Sequence, residues 1–170
     1  EGQPGSLIEM LRSHINTLRA RNVVVVAIST NIGLTYADFF CPNKWDNVFT
    51  VGATDNVDRR MDLSCVDSGT GAALDFVAPG EGILTVQCSD LPCGCFPPSV
   101  WPMYPSGTSM AAPHACGVIS LILARAQTLG ISLTWQQIYD LLRLGATDQA
   151  SHFVDPPGDP NDTPGRDDYY

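Results

Sequence analysis

The chain is poor in basic residues, with 9 Lys+Arg against 18 Asp+Glu and a formal net charge of −9. Phosphate backbones are held by basic faces, so nucleic acid is excluded as the main partner. No apolar run reaches the length of a membrane span, so no membrane partner is expected. The chain opens with Glu1 and a Gly-Pro-containing stretch, not with a basic region followed by an apolar segment, so no targeting signal is visible. A piece cut from a longer precursor would show none in any case. What is there is ordinary for a folded domain: 170 residues, 44% hydrophobic and 16% charged.

Six cysteines are present. The cluster Cys88, Cys93 and Cys95 lies in a loop containing Pro and Gly and reads as a disulfide staple, which implies an oxidising compartment and a secreted or extracellular protein. Zinc is the rival reading, but no nearby His completes a ligand spacing. Pairing stays open. Cys116 falls within an apolar helix and is expected to be a buried small hydrophobe.

Leu7, Leu11, Ile15 and Leu18 recur at helical spacing between Ser6 and Ala20, which predicts an amphipathic helix capped by Ser6 and ended at Asn22. The run from Val23 to Ile28 is continuous and mostly β-branched, as in a parallel strand buried on both faces. Shorter strands are expected over 48–52, 74–78 and 83–86. From Ser109 to Gln127 apolar residues occupy every side, predicting a central, buried helix. A final amphipathic helix over 134–144 has Thr134 at the N-cap and Gln137 in capping-box position. Residues 155–170 are expected to be an acidic, Pro-rich loop. This alternation predicts an α/β fold with a mostly parallel sheet, whose chemistry belongs at the carboxyl ends of strands.

The most informative string is Gly107-Thr108-Ser109-Met110-Ala111-Ala112-Pro113-His114. Gly107 permits a tight turn and close approach. Ser109 falls where a loop enters a helix, so the helix N-terminus offers partial positive charge to an oxyanion formed beside it. Taken alone, the serine is equally a helix N-cap, and caps far outnumber nucleophiles.

The full string resembles the serine motif of the subtilase family. Val23 to Gly33 looks like the family strand that ends in the oxyanion asparagine, Val48 to Asp55 is similar to the strand that follows, and Asp75 to Gly80 matches its Ala-Pro-Gly segment. These blocks cover roughly residues 5 to 150 in the family's order. The resemblance implies a three-layer subtilisin-like α/β fold, with residues 1–170 the C-terminal portion of a single catalytic domain, incomplete because its N-terminal half is absent. It implies a serine endopeptidase that cuts polypeptides, with Ser109 as nucleophile and Asn31 as oxyanion donor, and with Thr30 and Gly107 lining the substrate site. No cofactor is required for that chemistry. Structural calcium is common in the family, but Asp155, Asp159 and Asp162 lack EF-hand spacing, so no metal ligand is assigned.

Two departures stand out. None of His14, His114 and His152 sits in the family's His-Gly-Thr-His setting, and no Asp stands in its strand-end motif. The expected partner of this chain is therefore the missing N-terminal half of the domain, and the fragment alone is expected to be inactive. A catalytically silent binding or regulatory module is the alternative. The second departure is Thr30, preceded by Ser29 and Ile28, where the family usually has glycine after alanines. A β-branched residue there narrows the pocket and implies a preference for small residues before the scissile bond, with Phe40 as a candidate pocket floor.

Overall fold

A computed structural model describes residues 5–32, 40–63, 66–69, 71, 73–86 and 102–146; in 63, 66, 67, 86, 102 and 103 it describes the backbone only. Helix α1 (Leu7–Ala20) begins as expected, with the Ser6 hydroxyl accepting from the Glu9 N–H at 3.3 Å. Its chain reverses at Asn22, whose φ of 57° lies in the left-handed region. Strand β1 (Val26–Ile28) follows, then β2 (Phe49–Thr54), the short hairpin β3 (Asp62–Leu63) and β4 (Val66–Asp67), and β5 (Phe76–Pro79). A ribbon of β6 (Thr85–Val86) and β7 (Pro102–Met103) leads into α2 (Thr108–Thr128), and α3 (Trp135–Gly145) closes the described chain. The Thr134–Gln137 capping box at the start of α3 is present in both directions.

The main sheet has the order β1-β2-β5 and both pairings are parallel, so the α/β expectation holds. Side chains alternate across β2. Phe49, Val51 and Ala53 face α2 and α3, where Ala111, Ile119 and Ile138 pack on them. On the other face, Val25 and Ala27 meet Ile15 of α1 together with Trp45 and Val48. Helices on both faces make three layers.

Three expectations need correction. The β-branched run before Asn31 is not buried on both faces: it is the edge of the sheet among the described strands, and Ile28 is 37% exposed. The fully buried strand is β2, despite its Thr50, Gly52 and Thr54. Its polar groups are satisfied internally, since the Thr50 hydroxyl donates to the Asn43 carbonyl at 3.0 Å. Helix α2 is not buried all round: one stripe of Thr108, Ala111, Ile119 and Ala126 is covered, while Leu121 is 72% exposed. The sheet covers only one side of it. Cys116 is on the uncovered side and is exposed, not buried. The same holds for α1, whose apolar stripe is buried only at Ile15, with Leu7, Leu11 and Leu18 exposed. By length and composition α2 would also suit a membrane crossing, yet here it packs on the sheet.

At the amino end of the sheet, Asp75 clamps β2 to β5. Its carboxylate accepts the Thr50 N–H at 2.8 Å and the Tyr139 hydroxyl at 3.3 Å. Burial pushes its pKa up to about 6, helped by the charge of Asp46 and opposed by the two hydrogen bonds. The folded protein therefore keeps this proton up to about pH 6, while the unfolded carboxyl releases it near pH 4. The folded state binds more protons in that window, so stability falls as pH rises from about 4 to 6 and levels off above it. Asp75→Asn retains an acceptor for Thr50 and cannot ionise. Unfolding free energies by denaturant should show wild type losing on the order of 2 kcal/mol relative to Asp75→Asn across this window. A constant difference between the two proteins would contradict the assignment.

Candidate active site

The two candidate residues with the strongest signals, Asn31 and Ser109, come from opposite ends of the described chain. Asn31 stands just beyond the carboxyl end of β1, where open parallel sheets bind ligands. Ser109 is the second residue of α2, which enters from the ribbon. The fold brings them to one place. The Asn31 Oδ1 accepts both the backbone N–H and the hydroxyl of Thr108, each at 2.8 Å.

This pair of bonds settles several questions at once. The N-cap of α2 is Gly107, which has no side chain, so the carboxamide oxygen of Asn31 caps the helix from outside. Ser109 is therefore not the cap, and its side chain is exposed at the helix mouth. Asn31 is more than a turn residue: with Oδ1 committed to two donors, its Nδ2 is the end left to donate elsewhere. The Ser109 N–H, in the first helical turn, has no intrahelical acceptor. Met110 N–H bonds back to the Gly107 carbonyl at 2.9 Å. Pro113 lacks the N–H that would otherwise take up the Ser109 carbonyl one turn back.

Gly107 has a φ of 148°, and a Cβ there would stand 3.4 Å from both carboxamide tips of Asn31. The glycine thus serves the geometry of the asparagine. Thr30 adopts a φ of 112°, a left-handed conformation that costs a β-branched residue on the order of 1–3 kcal/mol. Its hydroxyl is buried without a partner among the described residues and lies 2.4 Å from where a Cβ on Gly69 would be. The hydroxyl therefore turns away toward the Gly69 backbone, whose N–H bonds to the Thr30 carbonyl at 3.0 Å. The neighbouring Ser29 hydroxyl is fully buried and also unpartnered. Phe40 is 44% exposed, and residues 33–39 before it lie outside those described.

No described histidine reaches Ser109. His14 Nδ1 pairs with the Met10 carbonyl on α1, and His114 Nδ1 with the Met110 carbonyl on α2. Both are exposed. His152, the acidic loop and Cys88, Cys93 and Cys95 lie outside the described residues. Among the described residues there is no cluster suited to a metal ion, and Cys41 and Cys116 are free thiols. The large apolar groove of about 860 Å3 lies elsewhere, between β5, α2 and α3, and contains neither Ser109 nor Asn31. Thr108 is the residue that sequence reasoning missed. Its only signal was its place immediately before the serine.

Comparison with known proteins identifies the family. The model of the Subtilase family, peptidase S8, matches residues 1–158. The chain is 32% identical over 152 residues to subtilisin DY of Bacillus licheniformis, covering 84% of this chain and 46% of that protein. It is 31% identical over 136 residues to proprotein convertase subtilisin/kexin type 9 of Mus musculus, covering 79% and 18%. Among solved structures, a protease from Pseudoalteromonas arctica superposes with a TM-score of 0.70 at 26% identity, covering 85% of this chain and 42% of that one. The prenylagaramide maturation protease PagA gives 0.68 at 25%, covering 91% and 52%. The chain belongs to the subtilase family, and it spans about half the length, or less, of these relatives.

Thr108 is fully buried, and valine matches its shape without the hydroxyl. In subtilisin, loss of an oxyanion donor outright costs about 100- to 1,000-fold in turnover. Thr108→Val removes only one of two bonds that orient Asn31, so turnover should fall about tenfold with KM little changed. Thr108→Ser should recover most of it. Steady-state kinetics of the full-length protein on a peptide amide would show this, and wild-type turnover in full-length Thr108→Val would refute the orienting role.

Proposed function

We propose that this chain carries the nucleophile and oxyanion portion of a serine endopeptidase. The observation that carries the reading is the double hydrogen bond from Thr108 to Asn31 Oδ1, which commits the carbonyl end and leaves Nδ2 to donate. In the reaction, a base takes the Ser109 hydroxyl proton while its oxygen attacks the scissile carbonyl carbon. The tetrahedral oxyanion is held by Asn31 Nδ2 and the Ser109 N–H, beside the positive end of α2. Collapse expels the amine, which takes up the proton from the base. Water then enters by the same steps in reverse order of roles and releases the acid, restoring Ser109.

The base in this family is a histidine oriented by an aspartate, by the resemblance set out above. His14 and His114 are each engaged within their own helices. We place the base and its aspartate in a further portion of the same domain, which is this chain's partner. Two observations support this: the relatives are longer, and α1, β1 and α2 present uncovered apolar residues, including Leu7, Ile28 and Leu121. The 170-residue chain alone is then inactive. The family's named subtilisins favour an extracellular setting. The second reading is a silent binding module, but such a module has no need to keep Asn31, Thr108 and Ser109 in register.

A fluorophosphonate probe distinguishes these readings. The full-length protein should be labelled, Ser109→Ala should abolish labelling, and the 170-residue chain should hydrolyse nothing above background. Ser109-dependent hydrolysis by the chain alone would overturn the partner requirement. No labelling of a full-length protein with intact aspartate and histidine motifs would favour the binding module.

Thr30 bears on specificity. Its methyl-bearing Cβ sits where glycine would leave space, so small residues before the scissile bond should be preferred. In the full-length protein, Thr30→Gly is expected to raise kcat/KM for Phe relative to Ala at that position by about tenfold, on the scale of one buried methylene. It should also stabilise the protein by about 1 kcal/mol through relief of strain. Wild-type cleavage after Phe or Tyr as fast as after Ala would contradict this.

A further inference from the structure

The apolar groove of about 860 Å3 between β5, α2 and α3 takes no part in the site described above. Its walls combine Val77 and Ala78 of β5, Leu121 and Ile122 of α2, and Leu141 and Leu142 of α3. Leu121 and Leu141 are exposed in it, as are Leu129 and Ile131 of the turn between the two helices. Apolar surface gathered into one depression on this scale marks a place where something docks.

Position, reach and charge point to one occupant. Gly145 and Ala146, the last of the described residues, themselves line the groove, so the chain that follows sets out from its rim. Phe153 comes seven residues after Ala146, and that length of extended chain spans up to about 23–25 Å. The groove follows α2 from His114 to Ala126, roughly 18 Å along the helix axis, so the segment is long enough to cover it. Residues 147–170 contain six aspartates and a single arginine, and the adjacent Phe153 and Val154 are followed at once by Asp155. The groove offers the converse. No carboxylate lines it, and its two ionisable side chains, His114 and Arg125, are both exposed on α2. Arg125 has no carboxylate within ion-pair distance among the described residues. An aromatic and a branched aliphatic residue with an acid beside them match an apolar trough with a cation at its edge.

We propose that residues 147–170 fold back over this groove, with Phe153 and Val154 seated between α2 and α3 and Asp155 paired with Arg125. The segment then braces the helix that carries Ser109, and it does so whatever Ser109 attacks. The test is photo-cross-linking in the full-length protein, read by mass spectrometry of the digested product. With benzoylphenylalanine in place of Phe153, irradiation should join that position to α2 or α3 of the same molecule, at Val118, Leu121 or Leu141. A second protein with benzoylphenylalanine in place of Leu121 probes from the groove side and should capture residues 147–170, so the test survives failure of either variant to fold. In the Phe153 probe protein, Arg125→Glu should lower the yield of the groove cross-link about threefold at low ionic strength, the scale of one exposed ion pair, and Arg125→Lys should restore it. Capture of any other part of the protein by the Leu121 probe would overturn the proposal, because the groove would then have a different occupant. Cross-links between two molecules, or none from either probe, would overturn it as well. A yield unchanged by Arg125→Glu would overturn the pairing of Asp155 with Arg125.

Discussion

The structure turns on two hydrogen bonds between residues 77 positions apart, from Thr108 to the carboxamide oxygen of Asn31. They do structural and chemical work together. Structurally, they give one of the first-turn N–H groups of α2, that of Thr108, its partner by means of a side chain at the end of β1. Chemically, they fix which end of a carboxamide faces outward. Nothing else in the described site orients Asn31 so directly. Gly107 is conformed to let the asparagine approach, and the Ser109 side chain is left exposed because another residue caps the helix.

That arrangement explains what was legible in the sequence. The string from Gly107 to His114 pointed to a serine at a helix mouth, and the run ending at Asn31 pointed to a strand end. The α/β fold and the parallel sheet followed from the alternation of periods, and both helix caps were readable from Ser6 and from Thr134 with Gln137. What joins Asn31 to Thr108 is a contact across the fold, and a single sequence carries no trace of it. Thr108 read as one letter of a motif rather than as the residue that holds the amide.

The misjudged elements share a cause. Apolarity was taken to mean burial on every side. Yet the most β-branched run forms the edge strand β1, and the central strand β2 contains threonines and a glycine whose needs are met by neighbours. Ser68 illustrates this, since its hydroxyl accepts the Ala53 N–H at 2.9 Å inside the core. Helix α2 is apolar on every side but covered on one. Hydrophobic pattern records which surfaces are suited to burial, whereas topology decides what is available to cover them. A surface such as the outer side of α2 is thus legible as apolar before it is known what meets it.

The most direct test of the central claim is a crystal structure of the full-length protein with Ser109 phosphonylated. The account requires the phosphonyl oxygen to lie within about 3.1 Å of both Asn31 Nδ2 and the Ser109 backbone N, with Oδ1 still accepting from Thr108. An adduct whose oxygen points away from Asn31, or an Asn31 whose carboxamide has left Thr108, would contradict it.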